Sequence, residues 1–492
     1  MTRYRHLITE DNAKWWTLGA MCFALFMIML DNTVVNVALP SIQEDLHSSL
    51  SNLEWTVNAY TLSFAVLLAT GGRLGDIFGR RRGFLIGVTL FAVSSATAGL
   101  APDTSWLIVS RVVQGVGAAF MMPATLSIVT NVFEPHERGK AIGTWAGVSA
   151  LALAIGPVVG GVLTEHVSWR AIFYLNIPVA AAAIVTTLFA VKESRDETVD
   201  REVDYLGVAT LTAGLTALVL ALIEGNSWGW GSLGIVLLLA GSVVMLVTFV
   251  AVELRVPSPM VEFRLFASRN FIGSNLIALV VTFAMLAQFF FIALYMQDIL
   301  GLSPLEAGVR FLPATLMIVT FAPLAGRLTD RIGARWLITT GLLLVSTALY
   351  WLTTITPSTT YGDIWPSFVL MGFGMALVMS PMSTAAMNAV AESKAGIASG
   401  ILSMNRMIGG TLGIAVIGAV FQGIAPDGTR DPTAFVDAFA SAMWVATGVA
   451  FAGAVIAAAL IRGKATARDE LAAAEAPVSP GGELAAAHEG VG

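Results

Sequence analysis

Charge is scarce in this chain of 492 residues. Asp, Glu, Lys and Arg make up 12% of it, against roughly 25% in a soluble domain, while 56% is hydrophobic and the mean hydropathy is +0.78. That balance excludes a soluble globular protein and leaves a polytopic membrane protein. Cysteine is scarcer still. Cys22 stands alone, so no intrachain disulfide can form and thiol chemistry is not the expected function. No nucleotide-binding loop, metal-ligand cluster or nucleophile with its base can be read along the chain. An ATP-driven pump or a membrane enzyme lacks its chemistry here, and no catalytic residue, metal or cofactor is expected. A cleavable signal peptide is missing too. Arg3, Arg5 and Lys14 precede a hydrophobic segment that is too long and has no small-residue cleavage site, so the first span is expected to stay in place. The net charge of −6 says little, because in a membrane protein the placement of charge matters more than its sum.

What the chain does have is a series of apolar runs. Set against the roughly 20 residues needed to cross a bilayer, they give spans over 16–39, 55–77, 84–101, 105–131, 140–164, 170–191, 206–223, 232–253, 270–297, 305–327, 335–355, 364–390, 397–422 and 436–461. Fourteen crossings put both ends of the chain on one side. Of the 27 Lys and Arg, 22 fall in one set of loops, while Arg170, Arg310 and Arg430 fall in the opposite set. By the positive-inside rule both termini are expected in the cytoplasm, with the protein in the plasma membrane of a bacterial cell. Trp15, Trp16 and Trp336 fall at inner boundaries and Trp55, Trp106, Trp169, Trp228, Trp230 and Trp365 at outer ones, where indole is favoured. Beyond Arg462 the chain is Ala, Glu, Gly and Pro with almost no large apolar residue, the composition of a disordered tail.

One stretch stands out: Leu30-Asp31-Asn32-Thr33-Val34-Val35-Asn36-Val37-Ala38-Leu39-Pro40. It sets an ionisable carboxyl inside a run that otherwise belongs in hydrocarbon. Asp31 lies about fifteen residues in, roughly 22 Å along a helix that must cross about 30 Å. A charge there costs about 2.5 kcal/mol or more, and such residues mark ion or substrate routes. A buried carboxyl holds its proton more tightly and a nearby cation loosens it, so a proton and an organic cation would compete for one acid. The alternative is a neutral Asp, hydrogen-bonded beside Asn32 and Asn36, that only locks helices together.

The chain also repeats itself. Gly72-Arg73-Leu74-Gly75-Asp76-Ile77-Phe78-Gly79-Arg80-Arg81 lies between spans two and three. Gly326-Arg327-Leu328-Thr329-Asp330-Arg331-Ile332-Gly333-Ala334-Arg335 lies between spans ten and eleven, and the two share G-R-L-x-D-x-x-G-x-R. Gly115-Val116-Gly117 in span four is echoed by Gly372-Phe373-Gly374 in span twelve. Spans one to six therefore repeat as nine to fourteen, and spans seven and eight are an inserted hairpin. The expected division is 1–15, an N-terminal segment; 16–191, a six-helix bundle; 192–269, a linker with two inserted helices; 270–461, a second six-helix bundle; and 462–492, the tail. This is an all-α polytopic fold with a site near the midplane between two bundles.

Taken in order, L-D-x-T-V-V-N-V-A-L-P at Leu30 to Pro40, G-R-L-G-D-x-x-G-R-R at Gly72 to Arg81, R-V-V-Q-G-V-G-A-A at Arg111 to Ala119 and G-P-V-V-G-G at Gly156 to Gly161 make the chain resemble the fourteen-helix drug:proton antiporters of the major facilitator superfamily. The resemblance covers residues 16 to 461. It implies proton-driven multidrug efflux: export of amphipathic, often cationic compounds, with a small-molecule substrate, protons and membrane lipid as partners and no nucleic acid or obligate protein partner. It links Asp31 to cation recognition or protonation and Arg111 to proton transfer. Gln114 follows Arg111 by three residues, on the same helix face. Arg111 keeps its charge when buried and needs a carboxylate or several carbonyls; an arginine snorkelling to the outer headgroups is the alternative.

The resemblance also makes Gly72, Arg73, Asp76, Gly79, Arg80 and Arg81, with Arg327 and Asp330 of the copy, a cytoplasmic gating latch in which Asp76 meets a helix terminus or an arginine. It makes Gly156, Pro157, Gly160 and Gly161 a helix-kink motif typical of antiporters. Gly143 and Gly147 extend that small-residue run. Asn405 and Arg406 in span thirteen supply a second intramembrane charge whose positive sign weighs against dicationic substrates. Glu224 ends span seven as an entry group or a solvated loop acid. Met285, Gln288, Phe289, Phe290, Phe291 and Tyr295 form either a permissive pocket or a lipid-facing surface. A dedicated exporter of one endogenous secondary metabolite, lipid or siderophore is the alternative function on the same fold.

Overall fold

The computed structural model describes residues 12–195, 204–257, 259–390, 394–426 and 431–462. Arg3, Arg5, Arg201, Arg430, Lys464, Arg468, the tail after Arg462 and the side chain of Asp330 lie outside the described residues. Helix dominates those that are described, and no strand occurs among them.

Fourteen helices are long and apolar enough to cross a membrane. They are α1 (Ala13–Leu46), α2 (Leu50–Phe78), α3 (Arg80–Gly99), α4 (Thr104–Val132), α5 (Pro135–His166) and α6, in two pieces (Ala171–Tyr174 and Asn176–Ala190). Next come α7 (Tyr205–Trp228) and α8 (Leu233–Glu253). The second set is α9 (Arg269–Leu294, prolonged by a π-helical turn Tyr295–Ile299), α10 (Pro304–Arg310 and Leu312–Ile332), α11 (Ala334–Leu352), α12 (Tyr361–Met387), α13 (Ala395–Ile424) and α14 (Pro432–Leu460). Each matches one expected span. The loops after even-numbered helices share a face with the chain ends, called here the near face; the opposite one is the far face.

Where boundaries moved, packing or proline is the cause. α1 was expected to stop before Pro40, yet it runs on to Leu46 with Pro40 inside and Ile42 fully buried. A proline costs its helix one hydrogen bond, and the buried turn that follows keeps the helix going until His47 at φ 47°. α10 is interrupted at Phe311 because Pro313 has no N–H to give, and a second first turn, where such donors are spare, accommodates it. α2 begins five residues before its expected start. Ser49 accepts from Asn52 N at 3.3 Å, capping the helix and drawing Glu54 into it.

The internal repeat is visible in the backbone. α2 ends at Gly79 with φ 121°, and α10 ends at the equivalent Gly333 with φ 83°, conformations that favour glycine. Gly115 of α4 presses on the backbone of α2 at Tyr60, and Gly372 of α12 presses on α10 at Ala314. A β-carbon on Gly117 would lie 2.8 Å from Gly87 O of α3, and one on Gly374 would lie 2.6 Å from Gly341 O of α11. Helices in lipid gain little from hydrophobic burial, so close contact through small residues holds them together, and the same contacts are used twice. The result is two six-helix bundles, α1–α6 and α9–α14. The hairpin α7–α8 packs against α2 and α13.

The interiors differ. Tyr295 stacks on Phe439 at 5.6 Å, Phe291 lies 5.1 Å from Phe421, and Phe311 stands between Phe289 and Phe368. This aromatic core of the second bundle is buried, so Phe289, Phe290, Phe291 and Tyr295 face neither lipid nor an open pocket.

Candidate functional site

Asp31 and Arg111 meet inside the first bundle, each 1% exposed, with Arg111 Nη1 donating to Asp31 Oδ2 at 2.5 Å. Asp31 Oδ1 accepts from Gln114 Nε2 at 2.9 Å and from Asn176 Nδ2 at 3.5 Å. Arg111 Nη1 also donates to Gln114 Oε1 at 2.8 Å, and its Nε donates to the carbonyl of Thr56 at 3.0 Å. The guanidinium lies 4.2 Å from the centre of the Tyr60 ring, a contact worth about 2 kcal/mol when desolvated. Asn176 donates to Ser95 Oγ at 2.9 Å, and Ser95 donates to the carbonyl of Phe173. Five helices thus supply one hydrogen-bonded network in which the acid and the arginine satisfy each other.

The local sequence explains the convergence. Arg111 and Gln114 are one turn apart on α4 and reach the same carboxylate. Gly115 beside them lets α2 approach until Tyr60 covers the guanidinium. On the other side of α1, Gly156 and Gly160 of α5 lie against Thr33 and Val34. A β-carbon on Gly160 would sit 2.7 Å from Val34 O, and one on Gly156 would overlap the Thr33 side chain. Gly161 turns to the other bundle, where a β-carbon would sit 2.6 Å from Pro304 O, and the carbonyl of Pro157 abuts Gly308. The glycine-proline run therefore touches both the helix that carries Asp31 and the facing bundle.

Other expected residues lie elsewhere. Asn32 donates to Ile28 O at 2.9 Å and Asn36 to Asn32 O at 3.0 Å, so neither touches Asp31. Asn405 donates to Asn275 at 2.8 Å beside a cavity of about 400 Å³ between the hairpin and the second bundle. Arg406 donates to Ser383 Oγ of α12 at 2.6 Å. Arg111 does not snorkel. At the near face Asp76 pairs with Arg80 at 2.8 Å. Glu193, just past α6, accepts from the backbone N–H groups of Arg81 and Arg82 at 3.0 and 3.2 Å, capping α3 from another segment. A β-carbon on Gly79 would overlap the Glu193 carboxyl. Gly72 packs on Pro123 of α4, and Arg327 is exposed.

Sequence reasoning missed Asn176, Ser95, Tyr60 and the Thr56 carbonyl. Asn176 carried a signal, an amide inside an apolar run two residues before Pro178; the others carried none. Glu54 was also missed, and it belongs to a second arrangement that runs from mid-helix to the far face. There Thr411 Oγ1 donates to Thr61 Oγ1 at 2.8 Å, Gln422 Nε2 to Glu54 Oε1 at 2.8 Å, Gln297 Nε2 to Val37 O at 2.9 Å and Leu305 N to Glu165 Oε2 at 2.9 Å. These bonds join the two bundles. Toward the near face, β-carbons on Gly143 and Gly147 of α5 or Gly396 and Gly400 of α13 would meet nothing within 4 Å. The hairpin fastens onto the closed seam. Asn226 donates to Ala419 O at 2.6 Å, and Glu224 accepts from Trp55 Nε1 at 3.3 Å, so Glu224 is a bridging group and not a loop acid facing water alone.

Comparison with known proteins adds to this geometry. A family model described as Major Facilitator Superfamily matches residues 21–414. The chain belongs to this superfamily. Among its relatives in the superfamily is the puromycin resistance protein pur8 of Streptomyces alboniger, 38% identical over 478 residues, covering 94% of each chain. Another is the tetracenomycin C resistance and export protein of Streptomyces glaucescens, 36% identical, covering 82% of this chain and 76% of that protein. The multidrug resistance protein Stp of Mycobacterium tuberculosis is 37% identical over 82% of this chain and 75% of its own. A solved structure of a bacterial homologue of the human lysosomal transporter Spinster shares the fold, with a TM-score of 0.62, 19% identity and coverage of 91% and 96%. The major facilitator fold read from the repeat is therefore the fold of the protein, a multi-pass membrane transporter.

Proposed function

We propose that this superfamily member is a proton-coupled antiporter that exports amphipathic, mainly cationic compounds by alternating access. The observation that carries the reading is the buried Asp31–Arg111–Gln114 network, because it holds one carboxylate where a proton and an organic cation would compete. Among the described residues 17 Lys and Arg lie at the near face against two, Arg170 and Arg310, at the far face, which supports a cytoplasmic near face with both termini on that side. The far-face seam then makes this arrangement inward-facing, ready to take cargo from the cytoplasm. A proton on Asp31 removes the charge that Arg111 pairs with and frees the guanidinium, whose own charge persists. The glycine-proline run of α5, packed on α1 and on α10, carries the change at Asp31 to the interface between bundles.

The relatives are named for resistance to or export of antibiotics, which supports outward transport. Inside-out vesicles containing the protein, with an acidified lumen, should accumulate a lipophilic cation such as ethidium. Collapsing the pH gradient should abolish that, and Asp31→Asn should lose most of it. An Asp31→Asn protein that moves every tested cation as well as the wild type would make Asp31 a structural residue. A second reading, export of a single secondary metabolite, is favoured by relatives named for one compound each, tetracenomycin C and puromycin. A substrate panel separates the two, since narrow protection supports the second.

A further inference from the structure

We propose that Glu54 is a second proton-binding residue, one that holds the far-face seam shut while it carries a proton and opens it when ionised. The proposal rests on the alternating access argued above and not on which compound is carried.

Glu54 lies a little over one turn into α2 and is fully buried against the opposite bundle. Its Oε1 accepts from Gln422 Nε2 at 2.8 Å, and its Oε2 has no hydrogen-bond partner. The Gln422 amide is held from its other end as well, because its Oε1 accepts from Ser51 Oγ at 3.1 Å. The carboxyl rests on the backbone of α13 at Gly418, where a β-carbon would overlap it. This acid is thus built into the contact between the bundles.

No cation among the described residues pairs with it. The charged groups on the surrounding elements are engaged elsewhere. Arg111 of α4 is bonded to Asp31 and Thr56. Asp103 caps α4 at Trp106 N, Asp45 at the end of α1 pairs with Arg170, and exposed His47 follows it. Arg406 of α13 is bonded to Ser383, and Arg80 of α3 to Asp76 at the other face. Glu224 of α7, which accepts from Trp55 beside Glu54, adds a like charge.

An ionised carboxylate here would have one neutral N–H donor and no counter-charge, an arrangement that a dry interface penalises heavily. The neutral acid meets no such penalty. When α2 and α13 separate, Glu54 faces the outer solution, where the carboxylate is hydrated. The sign follows from linkage: the closed seam binds one more proton than the open one, so lower pH favours closure. An acidic exterior would shut the emptied carrier and return it to collect cargo.

The test is a distance measurement on the full-length protein in lipid nanodiscs without substrate. Spin labels on Glu44→Cys and Thr433→Cys, in a Cys22→Ser background, report the far-face separation from mildly acidic to mildly alkaline pH. In wild type the closed-to-open ratio should rise as pH falls, by up to about tenfold per pH unit for a single proton. The rise should persist in Asp31→Asn. Glu54→Gln should stay closed throughout, and Gln422→Lys, which supplies a cation, should stay closed at alkaline pH. A Glu54→Gln protein that follows the wild-type curve overturns the proposal, as does a rise lost in Asp31→Asn or a wild-type distance that never changes. Vesicles that move no compound while these distances titrate as described would sink the export reading and leave the gate standing.

Discussion

Asp31 and Arg111 should be worth far more together than either is alone. Each is 1% exposed, so removing one leaves its partner buried without a counter-charge, and Asp31→Asn or Arg111→Leu is expected to cost about 3–5 kcal/mol. Part of that loss is offset, since Gln114 and Thr56 still serve the arginine and Gln114 and Asn176 still serve the acid. The double variant removes both charges and should recover about 2–3 kcal/mol as coupling. The lone thiol supplies the assay, because Cys22 is buried on the same helix as Asp31 and reacts only when the first bundle opens. At fixed temperature in detergent, labelling by a fluorogenic thiol reagent should be at least about 100-fold faster in each single variant, at 1.4 kcal/mol per tenfold. In the double it should be roughly 30- to 100-fold slower than the product of the two single accelerations. Single-variant costs that simply add in the double would refute the idea that this ion pair ties α1 to α4.

Two further outcomes follow from packing and capping. Gly156→Val and Gly160→Val should each destabilise by about 1–3 kcal/mol through overpacking against α1 and abolish vesicle transport, while Gly147→Ala, which borders open space, should be tolerated in both assays. Asp76→Asn should change stability by only about 0–1 kcal/mol, because the pair with Arg80 is partly exposed, and Glu193→Ala should cost about 1 kcal/mol as a lost cap; a much larger loss in thiol-labelling stability for Asp76→Asn would show that its pairing is structural.

The crossings were legible because a bilayer imposes length and hydropathy, and the repeat was legible because glycines at close contacts leave no freedom of residue type. Which helices meet was not, since a single charge such as Arg111 reads the same whether it faces headgroups or a carboxylate. Asn32 and Asn36 illustrate the limit: an amide in a helix can spend its donor on the carbonyl four residues back, and adjacency to Asp31 in sequence says nothing of that choice. Glu54 was hidden for a different reason. Hydropathy ends a span at the first charged residue, so the expected span began at Trp55, one position too late to include an acid that only the facing bundle covers.

The register that sets Gly115 beside Gly372 also sets Arg111 beside Phe368, a ring buried against Phe311 in the second bundle. The two copies have kept one mould and filled it differently, with ions in one and hydrocarbon rings in the other. The buried ion pair and the aromatic core are thereby lodged in separate halves of a single polypeptide. A chimera of two first halves would carry the ion pair twice and lose the aromatic core.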